Sequence, residues 1–138
     1  MKILGLNKSK AESKAMLITR ILLGVLFLWL GLLKISGYLP YFEVQEIAFP
    51  YLTISITPLI LGVGEAAIGL LLLIHKLKPV TLLLVVAHLV ATLTIIIFDP
   101  NILFTTTFPL LSYSGEILLR NIIFSFVAFI ILFSEQTD

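Results

Sequence analysis

Two residues able to exchange protons lie inside strongly apolar sequence. Glu65 falls about midway along one apolar run, 54–74, and His88 about midway along the next, 80–98. With a rise of about 1.5 Å per residue, the two share one level if the runs stand side by side as helices. An acid facing an imidazole in an apolar slot supplies acid–base chemistry to a bound group, a quinone carbonyl being one example. Ionisable side chains inside a membrane are costly, face the bundle interior, and mark either function or a structural pair. Glu65 and His88 are therefore the candidate catalytic residues, with one alternative each. The alternative for Glu65 is a buried carboxyl that stays protonated or pairs with Lys34 or Arg120 to set helix register, and for His88 a hydrogen-bonded helix contact.

A second group sits nearer one end of the runs. Lys34 closes the first apolar stretch, and Glu116 and Arg120 lie one helical turn apart at the start of the last, with Asn121 beside them. Lys34, Glu116, Arg120, Asn121 and Thr92 form the candidate ligand-binding set. The plainer alternative has Glu116 neutralising Arg120 and Lys34 snorkelling to the interface. Arg20 is expected to reach lipid headgroup phosphates, His75 to be interfacial, and Trp29 to pack inside the bundle, with stacking on a flat ligand as its second reading. No metal site is expected: there is no cysteine and no second histidine near His88.

The elements that must hold these residues follow from composition. Of 138 residues 59% are apolar and 12% charged, against roughly 25% charged in soluble domains. A globule this small could not cover so much apolar surface, so lipid is the expected solvent. Four stretches, 16–36, 54–74, 80–98 and 116–133, each approach the ~20 residues that cross a hydrocarbon core of roughly 30 Å. The expected fold is an all-α, polytopic, four-transmembrane-helix bundle forming one transmembrane domain over 1–138. Pro58 and Pro79 mark helix starts. Gly62, Glu65, Ala66 and Gly69 share one helical stripe that admits a neighbouring helix closely, and Thr81, Val85, His88 and Thr92 share another whose hydroxyls are expected to bond across the bundle.

Charge sets the orientation. The N-terminus carries Lys2, Lys8, Lys10 and Lys14, and the turn His75–Pro79 is short and basic, whereas loops 37–53 and 99–115 contain no Lys or Arg. The positive-inside rule then places both termini in the cytoplasm and both loops outside, in a multi-pass protein of the plasma or inner membrane. A cleavable leader is not expected, since the run from Met16 to Leu33 is too long and no small-x-small site follows. The first outer loop, mixing aromatics with Glu43 and Glu46, reads as an interfacial helix capping the bundle. The second is apolar enough to fold back toward the membrane, which requires that protein bury its backbone. Net charge is +1 with scattered basic residues, so nucleic acid is not an expected partner.

Three segments, Arg20-Ile-Leu-Leu-Gly24 through Gly31-Leu-Leu-Lys34, then Gly62-Val-Gly-Glu65 with Gly69, then Gly115-Glu116-Ile-Leu-Leu-Arg120-Asn121, resemble the DoxX family of small four-helix membrane proteins. The loop Phe104–Pro109 is similar to a DoxX-like branch associated with resistance to reactive chlorine. The resemblance implies a four-helix membrane subunit, in some members of a thiosulfate:quinone oxidoreductase and in others a partner of redox-stress enzymes, while eukaryotic relatives are similar to membrane chaperones. It carries over Arg20, Lys34, Glu65, Glu116, Arg120 and Asn121; His88 stands on the pattern of this chain alone.

Three functions follow as expectations. The first is a membrane component of a redox or oxidative-stress system that binds a quinone or small solute within the bundle. No motif for flavin, haem or cluster is visible, so electrons would come from an oxidoreductase partner subunit, and whether the chain is itself an enzyme stays open. The second is a membrane chaperone, scaffold or assembly protein whose buried charges are structural. The third is a small-solute transporter, which a single four-helix unit without repeats or broken helices supports least, unless it forms a homo-oligomer.

Overall fold

Apolar runs flanked by Gly, Pro and Ser fold as four helices in the computed structural model, which describes residues 2–38, 57–98, 100–106 and 108–134, with side chains described from residue 11 and, in the second stretch, from residue 59. Helix α1 spans Lys2–Ile35, α2 Thr57–Ile74, α3 Lys78–Phe98 and α4 Tyr113–Ser134, with a 3₁₀ turn at Pro100–Leu103. The interfacial helix expected in the first loop lies, from residue 39 onward, outside the described residues. Three helical stretches, Ala11–Ile35, Lys78–Phe98 and Tyr113–Ser134, are long and apolar enough to cross a membrane, and α2 contributes a shorter apolar stretch, Leu59–Ile74.

Helix α1 begins at Lys2 rather than near residue 16. Hydropathy sees only the apolar part, whereas Lys, Glu, Ala and Leu in residues 2–15 are good helix formers that continue the same helix beyond it. Its C-terminus is closed by Gly37 in the left-handed region (φ 76°), with Tyr38 N–H donating to Leu33 O (3.1 Å) and Gly37 N–H to Lys34 O (3.2 Å), the two bonds of a Schellman motif. Helix α2 ends on His75, also left-handed (φ 57°), whose N–H donates to Leu71 O. Ser112 caps α4: its hydroxyl accepts from Gly115 N–H (2.8 Å) and its carbonyl from Glu116 N–H (3.0 Å).

The helices pack in chain order, α1 on α2, α2 on α3 and α3 on α4, and α4 returns to α1 to close the bundle. The α1–α2 contact is the tightest because it is backbone against backbone. A Cβ on Gly31 would stand 2.4 Å from Ala66 N, and one on Gly69 would stand 2.3 Å from Leu28 N. The pairing of Gly31 with Gly62 and Ala66, and of Gly24 with Gly69 and Leu73, makes the two helices antiparallel. Close approach of this kind maximises dispersion where no hydrophobic force drives helices together.

Two apolar clusters fill the interior. Leu23, Phe27, Ile68, Leu72, Val85, Ala128, Ile131 and Leu132 occupy the end toward the α2–α3 turn, and Ile95, Ile102, Ile117 and Leu118 the opposite end. The loop between α3 and α4 folds back onto that second cluster through Ile102, and Gly115 lets it sit close, since a Cβ there would meet Leu103 O at 2.1 Å. Two backbone bonds tie it to itself, Thr105 N–H donating to Leu110 O and Ser112 N–H to Leu103 O. The outer face is crowded with exposed apolar side chains, among them Leu22, Ile60, Leu83, Ile97, Ile123 and Ile130, far beyond what a water-facing monomer exposes. Trp29 belongs to that face: 62% exposed, it points away from the bundle and not, as its depth suggested, into the packing.

The glycine contacts generate a prediction. Gly31→Ala and Gly69→Ala force a Cβ into opposing backbone and should each lower unfolding stability in micelles by on the order of 3 kcal/mol. Gly64→Ala, with nothing within 4 Å of its added Cβ, should be neutral or gain up to about 1 kcal/mol. Equal thermal midpoints for all three would contradict the glycine-to-glycine seam.

Candidate functional site

Between the two apolar clusters lies a polar layer to which every helix contributes. Glu65, near the centre of α2, is 2% exposed, and its Oε1 accepts from Lys34 Nζ of α1 in a salt bridge between two buried side chains. The geometry follows from helix direction. Lys34 Cβ packs against Gly62, one turn nearer the helix end than Glu65. Because side chains lean toward the N-terminus of their own helix, the lysine stem runs back along α1, which in an antiparallel hairpin is toward Glu65. Gly62 leaves the room for that stem.

His88, at the centre of α3, brings its Nε2 to 3.8 Å from the same Oε1. Its ring meets the edge of Phe27 (centroids 5.8 Å apart, planes at 81°), and Phe27 in turn meets Phe124 at 6.3 Å. These aromatics close the layer toward the larger apolar cluster. From α4, half-buried Arg120 lies within Coulombic range of both Lys34 and Glu65, and Asn121 beside it is buried. Glu65 Oε2, His88 Nε2 and Arg120 Nε are buried atoms with no hydrogen-bond partner among the described residues. Each is an unsatisfied group of the kind that native interiors nearly always pair.

Several expected placements differ. Lys34 does not snorkel; it is buried because an ion partner is available inside. Arg20 does not reach outward to headgroups. It is buried, and its guanidinium donates to Leu72 O at 2.8 Å. That carbonyl belongs to the last turn of α2, where no intrahelical N–H is left to pair with it, and a cation there also complements the helix dipole. Thr81 and Thr92 are buried on the expected stripe, but their hydroxyls donate to Leu77 O and His88 O of their own helix instead of crossing the bundle. Glu116 is exposed at the first turn of α4, and among the described residues no ion pair joins it to Arg120. The structure thus brings together Lys34, Glu65, His88 and Arg120, with Asn121 and Thr92 at the margin, and leaves Arg20 and Glu116 apart. The sequence signal missed for the α1–α2 seam was the matched seven-residue spacing of Gly24 and Gly31 with Gly62 and Gly69.

Among the described residues, no group of three or more metal-ligating side chains converges. Fold and site define an all-helical bundle, with helices of membrane-crossing length and a charged layer in its interior. Comparison of the chain with protein-family models, curated proteins and solved structures gave no match.

The pair generates a second prediction. Lys34→Met or Glu65→Leu alone strands a buried charge and should cost about 3–5 kcal/mol of unfolding stability. The double variant Lys34→Met/Glu65→Leu should recover most of that loss. A double-mutant cycle on unfolding in micelles measures the coupling, and additive losses would mean the two side chains do not act as a pair.

Proposed function

We propose that this chain is a four-crossing component of a cell membrane, with both termini in the cytoplasm, and that its polar layer binds a quinone or similar small solute in the service of a redox or oxidative-stress system. The single observation that carries this reading is the convergence of His88 on a Glu65 already paired with Lys34, with Glu65 Oε2 and His88 Nε2 making no hydrogen bond among the described residues. A pair serving only helix register needs two residues. Here a third titratable group stands at 3.8 Å and a fourth, Arg120, within Coulombic range, so the layer holds more acid–base and donor capacity than packing requires. Lys34 and Glu65 would orient the site, Glu65 and His88 would hold protons, and Arg120 and Asn121 would face a carbonyl or anionic group. Electrons would come from a partner subunit, and the DoxX-like segments fit that role.

A scaffold or chaperone reading is favoured by one observation, the buried salt bridge between Lys34 and Glu65 Oε1 across a glycine-sealed hairpin. The topology proposal rests on the lysine-rich N-terminus, the basic turn after α2 and the absence of Lys and Arg from loops 37–53 and 99–115. At roughly 27 Å for 18 residues, α2 comes within about 3 Å of the hydrocarbon core's thickness, and the fourth crossing is proposed on that ground.

The variants that separate the two readings leave the ion pair intact. His88→Gln and Arg120→Gln should weaken duroquinone or duroquinol binding to the protein in nanodiscs by about tenfold each, with little change in unfolding midpoint. Equilibrium dialysis against empty nanodiscs supplies the measurement, and unchanged binding in both variants would favour the scaffold. For topology, the cysteine-free chain permits single-cysteine labelling: Lys78→Cys and Tyr113→Cys should react from opposite faces of sealed vesicles. Reaction of both from one face would sink the four-crossing arrangement.

A further inference from the structure

The hydrogen-bond inventory of the polar layer specifies which redox form of a ligand it accepts. An ionised carboxylate only accepts hydrogen bonds, with two oxygens to satisfy. Lys34 occupies Oε1 of Glu65, and Oε2 is buried with no donor among the described residues. The charged and titratable groups facing Glu65 are Lys34 from α1, His88 from α3 and Arg120 from α4. Of these, Lys34 bonds Oε1, His88 stands 3.8 Å from that same oxygen, and none bonds Oε2. An acceptor buried without a donor is a standing cost that an incoming O–H removes and an incoming carbonyl does not.

We infer that the site selects a small hydroxyl-bearing ligand of the hydroquinone or phenol class over its oxidised, carbonyl counterpart, through an O–H donated to Glu65 Oε2. The inference rests on the reading of this layer as a ligand site and narrows it. A quinone carbonyl brings lone pairs only, so beside Oε2 it meets another acceptor. The reduced form brings a donor for Oε2 and keeps lone pairs on its oxygens for a donor such as Arg120 Nε–H, which has no hydrogen-bond partner among the described residues. His88 Nε2 serves either form, because its tautomer determines whether it donates or accepts. Phe27, edge-on to His88 and buried, supplies the apolar wall against which a flat ring packs.

The test compares duroquinol with duroquinone, anaerobically, on the full chain in nanodiscs, by equilibrium dialysis corrected with empty nanodiscs for partition into lipid. The wild-type protein should bind the quinol at least about tenfold more tightly, the value of one hydrogen bond to a charged acceptor. In Lys34→Met/Glu65→Gln, which removes both charges together and so avoids a stranded lysine, the amide can donate as well as accept. The preference should fall to near unity or invert. Equal or tighter binding of the quinone by the wild type overturns the inference while leaving the ligand-site reading in place. An unchanged preference in the double variant also overturns it, because selection then lies elsewhere. Binding of neither form above empty nanodiscs overturns both, with water alone left to satisfy Oε2.

Discussion

A carboxylate at the centre of a helix that is apolar on every other face must find a cation inside the protein, and much of this structure follows from how Glu65 finds one. Lys34 is far from it in sequence and close in space only because α1 and α2 run antiparallel with glycine against glycine. The seam sets the register, the register puts Lys34 one turn above Glu65, and the lean of the lysine stem closes the gap. A slip of one residue would rotate the carboxylate away from its partner. The pair is better understood as a register device than as a source of stability, since desolvating two charges consumes much of what their attraction returns.

The remaining helices treat that hairpin as a platform. Helices α3 and α4 pack against each other through apolar side chains and bring His88 and Arg120 to the level of the pair. Apolar clusters above and below confine the polar layer, and Phe27 seals its inner side against Phe124. Charges enclosed in this way act in a low-dielectric setting where a single unsatisfied oxygen or nitrogen carries weight it would lack in water. That gives the unpartnered atoms of Glu65 and His88 their significance for any ligand.

Arg20 illustrates how a buried charge can serve the backbone. Its guanidinium donates to the last turn of α2, where backbone carbonyls lack helical partners and the dipole is negative. The bundle thus uses two cations of α1 in opposite ways, Arg20 on the backbone at one end of α2 and Lys34 on the carboxylate at its middle.

By itself the sequence determined the helical class, three of the four helices to within a few residues, and the residues worth suspecting. Long apolar runs leave little other choice, and an acid or histidine within them is conspicuous. It also determined that Glu65 lies on a small-residue stripe, because 3.6-residue periodicity is a local property. What it could not determine were partners. Lys34 and Arg120 were equal candidates for Glu65, and only the hairpin register selected Lys34. Arg20 read as a snorkelling cation because its acceptor is a carbonyl 52 residues away, and carbonyls carry no sequence signature. Trp29 and the threonine hydroxyls were misplaced for a related reason: depth along a helix is legible in sequence, whereas the face a residue presents, and whether its hydroxyl turns back on its own helix, depend on which neighbours arrive. Contacts between segments distant in the chain are set by tertiary packing, and the candidate site is built almost wholly from such contacts.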